Sequence, residues 1–289
     1  MPDRLITLIA GPTASGKSRL ALDMAARTGA VIINADSQQL YADLRILSAR
    51  PSVEDEAQAE HRLYGVADAA DAWSVGRWSR AVLPILADLE AQKRPALIVG
   101  GTGLYFTALT KGLADIPEVP AAIRDAATAL YDAEGEAAFR QHLARLDPAS
   151  EARIAASDRQ RLTRALAVAE ATGKSLSDWK ASTTPLLARE TYDAIIVEPD
   201  RPRLYTNCDA RVSAMVEQGA LEEVRALNSR NLDPALPAMK AVGLREFGAY
   251  QAGEISLNAA VDAARQATRN YAKRQLTWFR NQTPDWSRR

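Results

Sequence analysis

Cysteine occurs once in this sequence, at Cys208, and histidine only twice, at His61 and His142. One thiol closes no internal disulfide, and so small a Cys/His inventory leaves no room for a structural zinc site. Any metal should be a hard, oxygen-bound ion. No apolar run reaches the length of a membrane span, and no charged stretch followed by an apolar segment precedes the first strand pattern. Export and insertion signals are therefore missing, and a cytoplasmic location is expected. Net charge is missing as well, because 36 basic residues balance 36 acidic ones, so the overall field announces no nucleic-acid partner. No Gly/Ser linker or low-complexity tract divides the 289 residues, a length that suits one large domain or a domain with an insertion.

What is present is an alternation of short apolar runs with helix-period segments. Strands are predicted at residues 4–10, 30–35, 96–99 and 194–197, and a helix at 17–27, where Leu20 and Met24, and Ala21 and Ala25, recur at i, i+4. The pattern predicts an α/β fold, a P-loop NTPase-like parallel sheet flanked by helices. From IPEVP onward to Pro185 the chain is Ala-rich, charged and helical in period without a strand. This predicts a helical insertion domain at 116–184 between core segments 1–115 and 185–289, hinged near the prolines. The end of the chain is locally basic: residues 261–289 hold seven basic side chains against two acidic ones. Arg265, Arg269 and Lys273 fall on one helical face, with Leu257, Val261, Ala264 and Tyr271 on another. A basic stripe near Tyr271, Trp278 and Phe279 suits an RNA backbone and stacked bases, although an ordinary amphipathic helix with Trp278 and Phe279 in its core gives the same pattern.

Three stretches carry chemistry. GPTASGKS, formed by Gly11, Pro12, Thr13, Ala14, Ser15, Gly16, Lys17 and Ser18, follows a strand and opens a helix. Its amides and the helix N-terminus make an anion nest, Lys17 adds charge, and the Ser18 hydroxyl can ligate Mg²⁺. Such a loop ordinarily signals nucleotide and ATP binding, but the loop alone does not say whose phosphate it holds. INADSQQLY places Asp36 at the end of the second strand, facing the same cleft as the loop. Asp36 is a metal-holding carboxylate, a general base, or simply a turn aspartate. PALIVGGTGLY ends its strand in Gly100, Gly101 and Thr102, where a phosphohydrolase would often carry an acid for magnesium. The glycines allow close backbone approach and Thr102 offers a neutral hydroxyl, unless this is only a turn into a helix.

Taken in order, GPTASGKS, ADSQQLY, EHRLYG, VGGTGLY, DRQRLTRALAV, MKAVGLREF and AKRQLTWFR cover nearly the whole chain, and together they resemble the bacterial tRNA dimethylallyltransferase family. The resemblance implies that the loop holds the diphosphate of dimethylallyl diphosphate and that an adenosine N6 amine at tRNA position 37 is prenylated. Asp36 would be the general base, Lys17 and Mg²⁺ at Ser18 would hold the diphosphate, and Thr102 would donate to the leaving oxygen. Arg211, in NCDARV, is a further diphosphate ligand on this reading or a solvated helix arginine on the plainer one. The anticodon stem-loop would be met by Asp36, Ser37, Gln38, Gln39 and Thr102. The resemblance adds Arg124, then Gln160, Arg161, Leu162, Thr163 and Arg164, and finally Lys273, Arg274 and Arg280. The target base would have to be extruded from its stack. A monomer is implied, and the zinc finger that some eukaryotic members append is forbidden by the Cys/His count. His61 lies in a family motif without an assigned role. A small-molecule kinase using ATP, with Asp36 as base and Arg159, Arg161 and Arg164 as a lid, is the alternative. A non-catalytic RNA binder with a relic loop is a second.

Overall fold

The computed structural model describes residues 4–289. Its first compact unit joins residues 4–110 to Leu187–Arg289, and its second is Lys111–Leu186. The first unit is built on six parallel strands: β1 (Ile6–Ala10), β2 (Val31–Asn34), β3 (His61–Arg62), β4 (Ala96–Gly100), β5 (Tyr192–Ile196) and β6 (Ser287–Arg288). Their order across the sheet is β3-β2-β4-β1-β5-β6. The four central strands match the predicted apolar runs; β2 and β4 are buried throughout, as a covered parallel sheet requires, whereas β1 and β5 are buried only in part and Asp193 of β5 is exposed. β3 and β6 escape sequence reading because each is two residues long and polar. They are ordered by their neighbours: the Ile32 amide donates to Glu60 O at 2.9 Å, and the Arg289 amide to Ile196 O at 2.9 Å.

Helices cover the sheet: α1 (Lys17–Thr28), α2 (Val53–Gln58), α3 (Val75–Ala91) and α4 (Gly103–Lys111). The second unit supplies α5 (Ala121–Leu146), α6 (Pro148–Arg153), α7 (Arg159–Thr172) and α8 (Leu176–Ala181). After β5 the chain adds α9 (Arg201–Glu217), α10 (Ala220–Ser229), α11 (Leu244–Gln251) and the 26-residue α12 (Leu257–Gln282). Among the described residues no helix is long and apolar enough to cross a membrane.

Capping explains several of these boundaries. Ser74, Asp158, Asp200 and Ser256 each accept the third amide of the helix they precede, satisfying a donor the helix leaves open. The core of the first unit centres on Trp78, whose ring stacks on Tyr105 at 4.3 Å and whose indole N–H donates to Asn34 O at 2.8 Å. The second unit has its own core, formed by Phe139, Leu143, Leu162, Leu166 and Val168. Its two ends meet closely: a Cβ on Gly112 would lie 2.2 Å from Thr184 O, so the close approach and the φ of 82° both require glycine there.

Candidate active site

Because β4 lies between β2 and β1, the loops leaving these three strands gather at one edge of the sheet. That is where open α/β sheets bind ligands. The phosphate loop leaves β1, Asp36 follows β2, and Gly101 and Thr102 follow β4. The loop turns through positive φ at Ala14 (60°) and Gly16 (93°) and starts α1 at Lys17. Amides at the start of α1 therefore have no partner inside the helix and face the loop's concavity. Ser15 Oγ is buried without a hydrogen-bond partner, an arrangement that a phosphate oxygen would satisfy.

Lys17 is only 8 % exposed, and its ammonium donates to Pro12 O at 3.2 Å. Burial lowers its pKa to about 8, opposed by the charge of Asp36 and reinforced by that of Arg211. Arg211, on α9, is half-buried and donates to Thr13 Oγ1 at 2.7 Å. Burial pulls its pKa down and Asp36 pulls it up. The sequence left a solvated arginine open at this position; here its guanidinium is tied to the loop at Thr13. Lys17, Arg211 and Asp36 line the same cavity of about 490 Å³, together with Thr13, Ala14, Ser15, Gly16 and Ser18. A second cavity of about 150 Å³ shares Thr13, Asp36 and Arg211 and continues over Leu47, Met215, Phe247 and Tyr271.

Asp36 is held from several sides. Its Oδ1 accepts from the Gln38 amide at 3.0 Å, so the turn reading and the site reading coexist. Buried Asn34 does the rest: its Oδ1 accepts from the Asp36 amide at 2.7 Å, while its Nδ2 donates to Asp36 O and Leu63 O. Thr102 Oγ1 accepts from the Ser37 amide at 2.9 Å and donates to Ser37 Oγ at 3.3 Å. Thr102 therefore stands in the Asp36 turn, not inside the loop. Gln38 donates to Pro237 O, and its Oε1 is buried without a partner.

Other expected contacts are placed differently. Gln39 lines the loop cavity, but its Nε2 is committed to Ser48 O at 3.0 Å and Ala49 O at 2.8 Å, so it holds that segment instead of offering a donor to a base edge. Leu162 is fully buried in the core of the second unit, which removes its side chain from any RNA contact. Gln160, Arg161 and Arg164 are exposed on α7, and Thr163 Oγ1 donates to Arg159 O. Arg124 is exposed and donates to Val119 O. Arg280 pairs with Glu198 at 2.6 Å, an intramolecular partner that the basic tail did not suggest. The predicted basic stripe is divided: Arg265 binds Ser213 and Arg269 binds Asp209 on α9, leaving Lys273 exposed and Arg274 over the Tyr271 ring at 5.6 Å. Phe279 is core and Trp278 partly so. His61 Nδ1 meets Ala59 O at 2.8 Å and its ring packs edge-on against Tyr64, beside a further cavity of about 380 Å³.

Sequence reading missed three features. Asn34 carried a signal, a polar residue closing an otherwise apolar strand. Gln275, which bridges the loop to the turn after β4, lay within the AKRQLTWFR motif but without an assigned role. On the second unit Lys180 has its pKa lowered, first by burial and then by the nearby Arg153 and Arg161, with Asp147 opposing and Arg164 adding to the effect.

Fold and site together define an α/β protein with a phosphate-binding loop opposed by a carboxylate turn. The IPP transferase family profile matches residues 39–282 and the isopentenyl transferase profile residues 4–70. Over the full chain it is 60 % identical to a tRNA dimethylallyltransferase of Caulobacter sp. (strain K31), covering 93 % of that protein. It is also 60 % identical, over 98 % of its length and 92 % of the relative, to one of Phenylobacterium zucineum. The crystal structure of the full-length tRNA isopentenylpyrophosphate transferase of Bacillus halodurans superposes with TM-score 0.69 at 28 % identity, covering 99 % of this chain and 90 % of that one. A eukaryotic dimethylallyltransferase acting on tRNA shares the fold with TM-score 0.81 at 23 % identity, over 95 % of this chain and 69 % of that one. This chain belongs to the tRNA dimethylallyltransferase family, and it is a transferase.

Proposed function

We propose that this enzyme transfers a dimethylallyl group from dimethylallyl diphosphate to the exocyclic N6 of adenosine 37 of tRNA, giving N6-isopentenyladenosine and diphosphate. One observation carries the reading: Lys17, Arg211 and the phosphate loop from Thr13 to Ser18 share a cavity with Asp36, and a second cavity of mixed polar and apolar lining adjoins it. A group that holds a leaving anion and a group that accepts a proton thus face one space, with room beside them for an apolar tail or a base. Asp36 accepts a proton from N6 as the amine attacks C1, because an aryl amine becomes a useful nucleophile only as it loses that proton. Lys17, Arg211 and the loop amides take up the charge that builds on the diphosphate. Thr102 donates to the bridging oxygen by turning its hydroxyl from Ser37 toward it.

Among the described residues no group of three or more His, Cys, Asp or Glu side chains could enclose a metal. The donor set beside the loop is the Ser18 hydroxyl, which fits Mg²⁺, an ion that keeps its waters and binds mainly to substrate phosphate oxygens. Ser18 would hold it, and when bound it would supply positive charge to the diphosphate. In the second unit the exposed Arg124, Gln160, Arg161 and Arg164, with Arg153 and Lys180, present a surface suited to the phosphates of an anticodon stem.

The test is a mass spectrum of nucleosides from unmodified bacterial tRNA incubated with the protein, Mg²⁺ and either dimethylallyl diphosphate or ATP. A prenylated adenosine that forms only with the diphosphate is the expected result. ATP turnover on a small-molecule acceptor without prenylation would replace this reading with a kinase.

A further inference from the structure

Gln275 lies on α12 and is only 6 % exposed, yet both ends of its side-chain amide are engaged. Its Oε1 accepts from the Thr13 amide at 2.8 Å, and its Nε2 donates to Gly101 O at 2.9 Å. Thr13 belongs to the phosphate loop and is also the residue that receives Arg211. Gly101 precedes Thr102, which carries the turn of Asp36 and Ser37. One amide therefore joins the half of the site that holds an anion to the half that accepts a proton. The fit is close, since a Cβ on Gly101 would stand 2.2 Å from Nε2 and 3.3 Å from Asp36 Oδ2.

We propose that Gln275 is a positioning residue that sets the separation between the phosphate loop and the Asp36 turn for the transfer step, a role that rests on the reaction proposed above. The two bonds need an acceptor and a donor on one short planar group, and among side chains of this length only an amide offers both. Glutamate would keep the acceptor for Thr13 but oppose a second oxygen to Gly101 O. Methionine fills a similar volume and makes neither bond. The side chain touches neither half through a charge, and it bonds directly to neither Lys17 nor Arg211, the groups that grip diphosphate, meeting the loop only at the Thr13 amide. Loss of Gln275 should therefore disturb alignment more than binding, and a displacement on the order of 1 Å costs about 100-fold in rate.

The experiment compares wild type with Gln275→Met by steady-state prenylation of tRNA, by titration with inorganic diphosphate, and by thermal unfolding. The expected result is a kcat lower by about 10- to 100-fold, with the KM for dimethylallyl diphosphate and the affinity for inorganic diphosphate both within about threefold of wild type. A change in packing alone would shift unfolding without separating kcat from KM. Wild-type kcat in Gln275→Met overturns the proposal, and so does a loss of diphosphate affinity equal to the loss of kcat/KM, which would make Gln275 part of the anion site only. Should Gln275→Met fail to fold, Gly101→Ala presses on the same amide from the other side. Unchanged kcat in folded Gly101→Ala overturns the proposal equally. A wild type that prenylates nothing removes the reaction and this role together, whereas a wild type that prenylates leaves the ratio of the two enzymes to decide on Gln275 alone.

Discussion

Lys17 illustrates how burial tunes one group at this site. With its pKa lowered from the ordinary 10.5 to about 8, the ligand-free enzyme carries a charged lysine below pH 8 and a neutral one above it. Diphosphate favours the charged form, so affinity for inorganic diphosphate should fall as pH rises past about 8, by up to about tenfold per pH unit, and binding there should take up a proton. Calorimetry in buffers of different ionisation enthalpy measures both, and Lys17→Met should abolish the proton uptake. Stability moves the other way. Between pH 8 and 10.5 the unfolded lysine binds more protons than the folded one, so this group adds stability to the ligand-free protein as pH rises through that window. Asp36→Asn keeps the turn's acceptor but removes the base, and should lower kcat by about 10²- to 10⁴-fold with tRNA affinity retained. Single-turnover prenylation together with filter binding checks this, and unchanged turnover would exclude Asp36 as the base. Asp36 and Lys17 were legible because each sits in a short contiguous motif. Gln39 was legible as a motif residue but not as a strut, since its partners Ser48 and Ala49 lie in a segment that carries no periodic signal.

Elements show a similar split between what is local and what is not. The segment at 45–47 has no regular structure, yet Glu223 of α10 cradles it: Oε2 accepts from the Arg45 and Ile46 amides, both at 2.7 Å, and Oε1 from Leu47 at 2.8 Å. Leu47 lines the second cavity, so α10 shapes the site without entering it. Glu223→Gln turns one acceptor into a donor facing amides and should cost about 1–3 kcal/mol, with faster hydrogen exchange at residues 45–47 as the local signature. α12 shows most clearly what a charge pattern leaves open. Its charge pattern allowed an RNA stripe or an ordinary amphipathic helix; two of its arginines are bound to α9, and Phe279 is fully buried against Phe106, whose ring in turn meets Trp286. Phe279→Ala should destabilise by about 3–5 kcal/mol in chemical denaturation, whereas Lys273→Ala, on an exposed position, should leave stability nearly unchanged. Charge periodicity places residues on a face but cannot tell whether that face meets solvent or another helix.

The whole molecule comprises two compact units, each with its own apolar core. In the first, Leu187 donates its amide to Leu109 O at 2.8 Å, so the chain leaves and rejoins this unit at one point. A short linker replacing residues 111–186 should therefore leave inorganic diphosphate binding intact while removing most tRNA affinity. Titration of both ligands checks this, and unchanged tRNA affinity would refute a gripping role for the second unit. The cations of that unit add a salt test. Replacing Arg161 or Lys180 by alanine should weaken tRNA binding for all sequences alike and reduce the slope of log affinity against log salt by about one each. The overall charge of zero had offered no hint of such a surface, because a net sum hides how charges are distributed in space.

The sequence by itself determined the parallel α/β plan, the phosphate loop, the carboxylate after β2 and the glycine-rich end of β4. Each of these is written in a few consecutive residues whose backbone chemistry is local: an apolar run for a buried strand, glycine for close approach, a helix start for an anion. Tertiary structure alone decided which side chains complete the site. Gln275 meets Thr13 and Gly101 across 262 and 174 residues of chain, Arg211 reaches Thr13 across 198, and Leu162 turns inward inside an otherwise basic motif. Such contacts depend on the order β2-β4-β1 and on the packing of α9 and α12 beside it, because a hydrogen bond between distant residues leaves no periodicity in either of them.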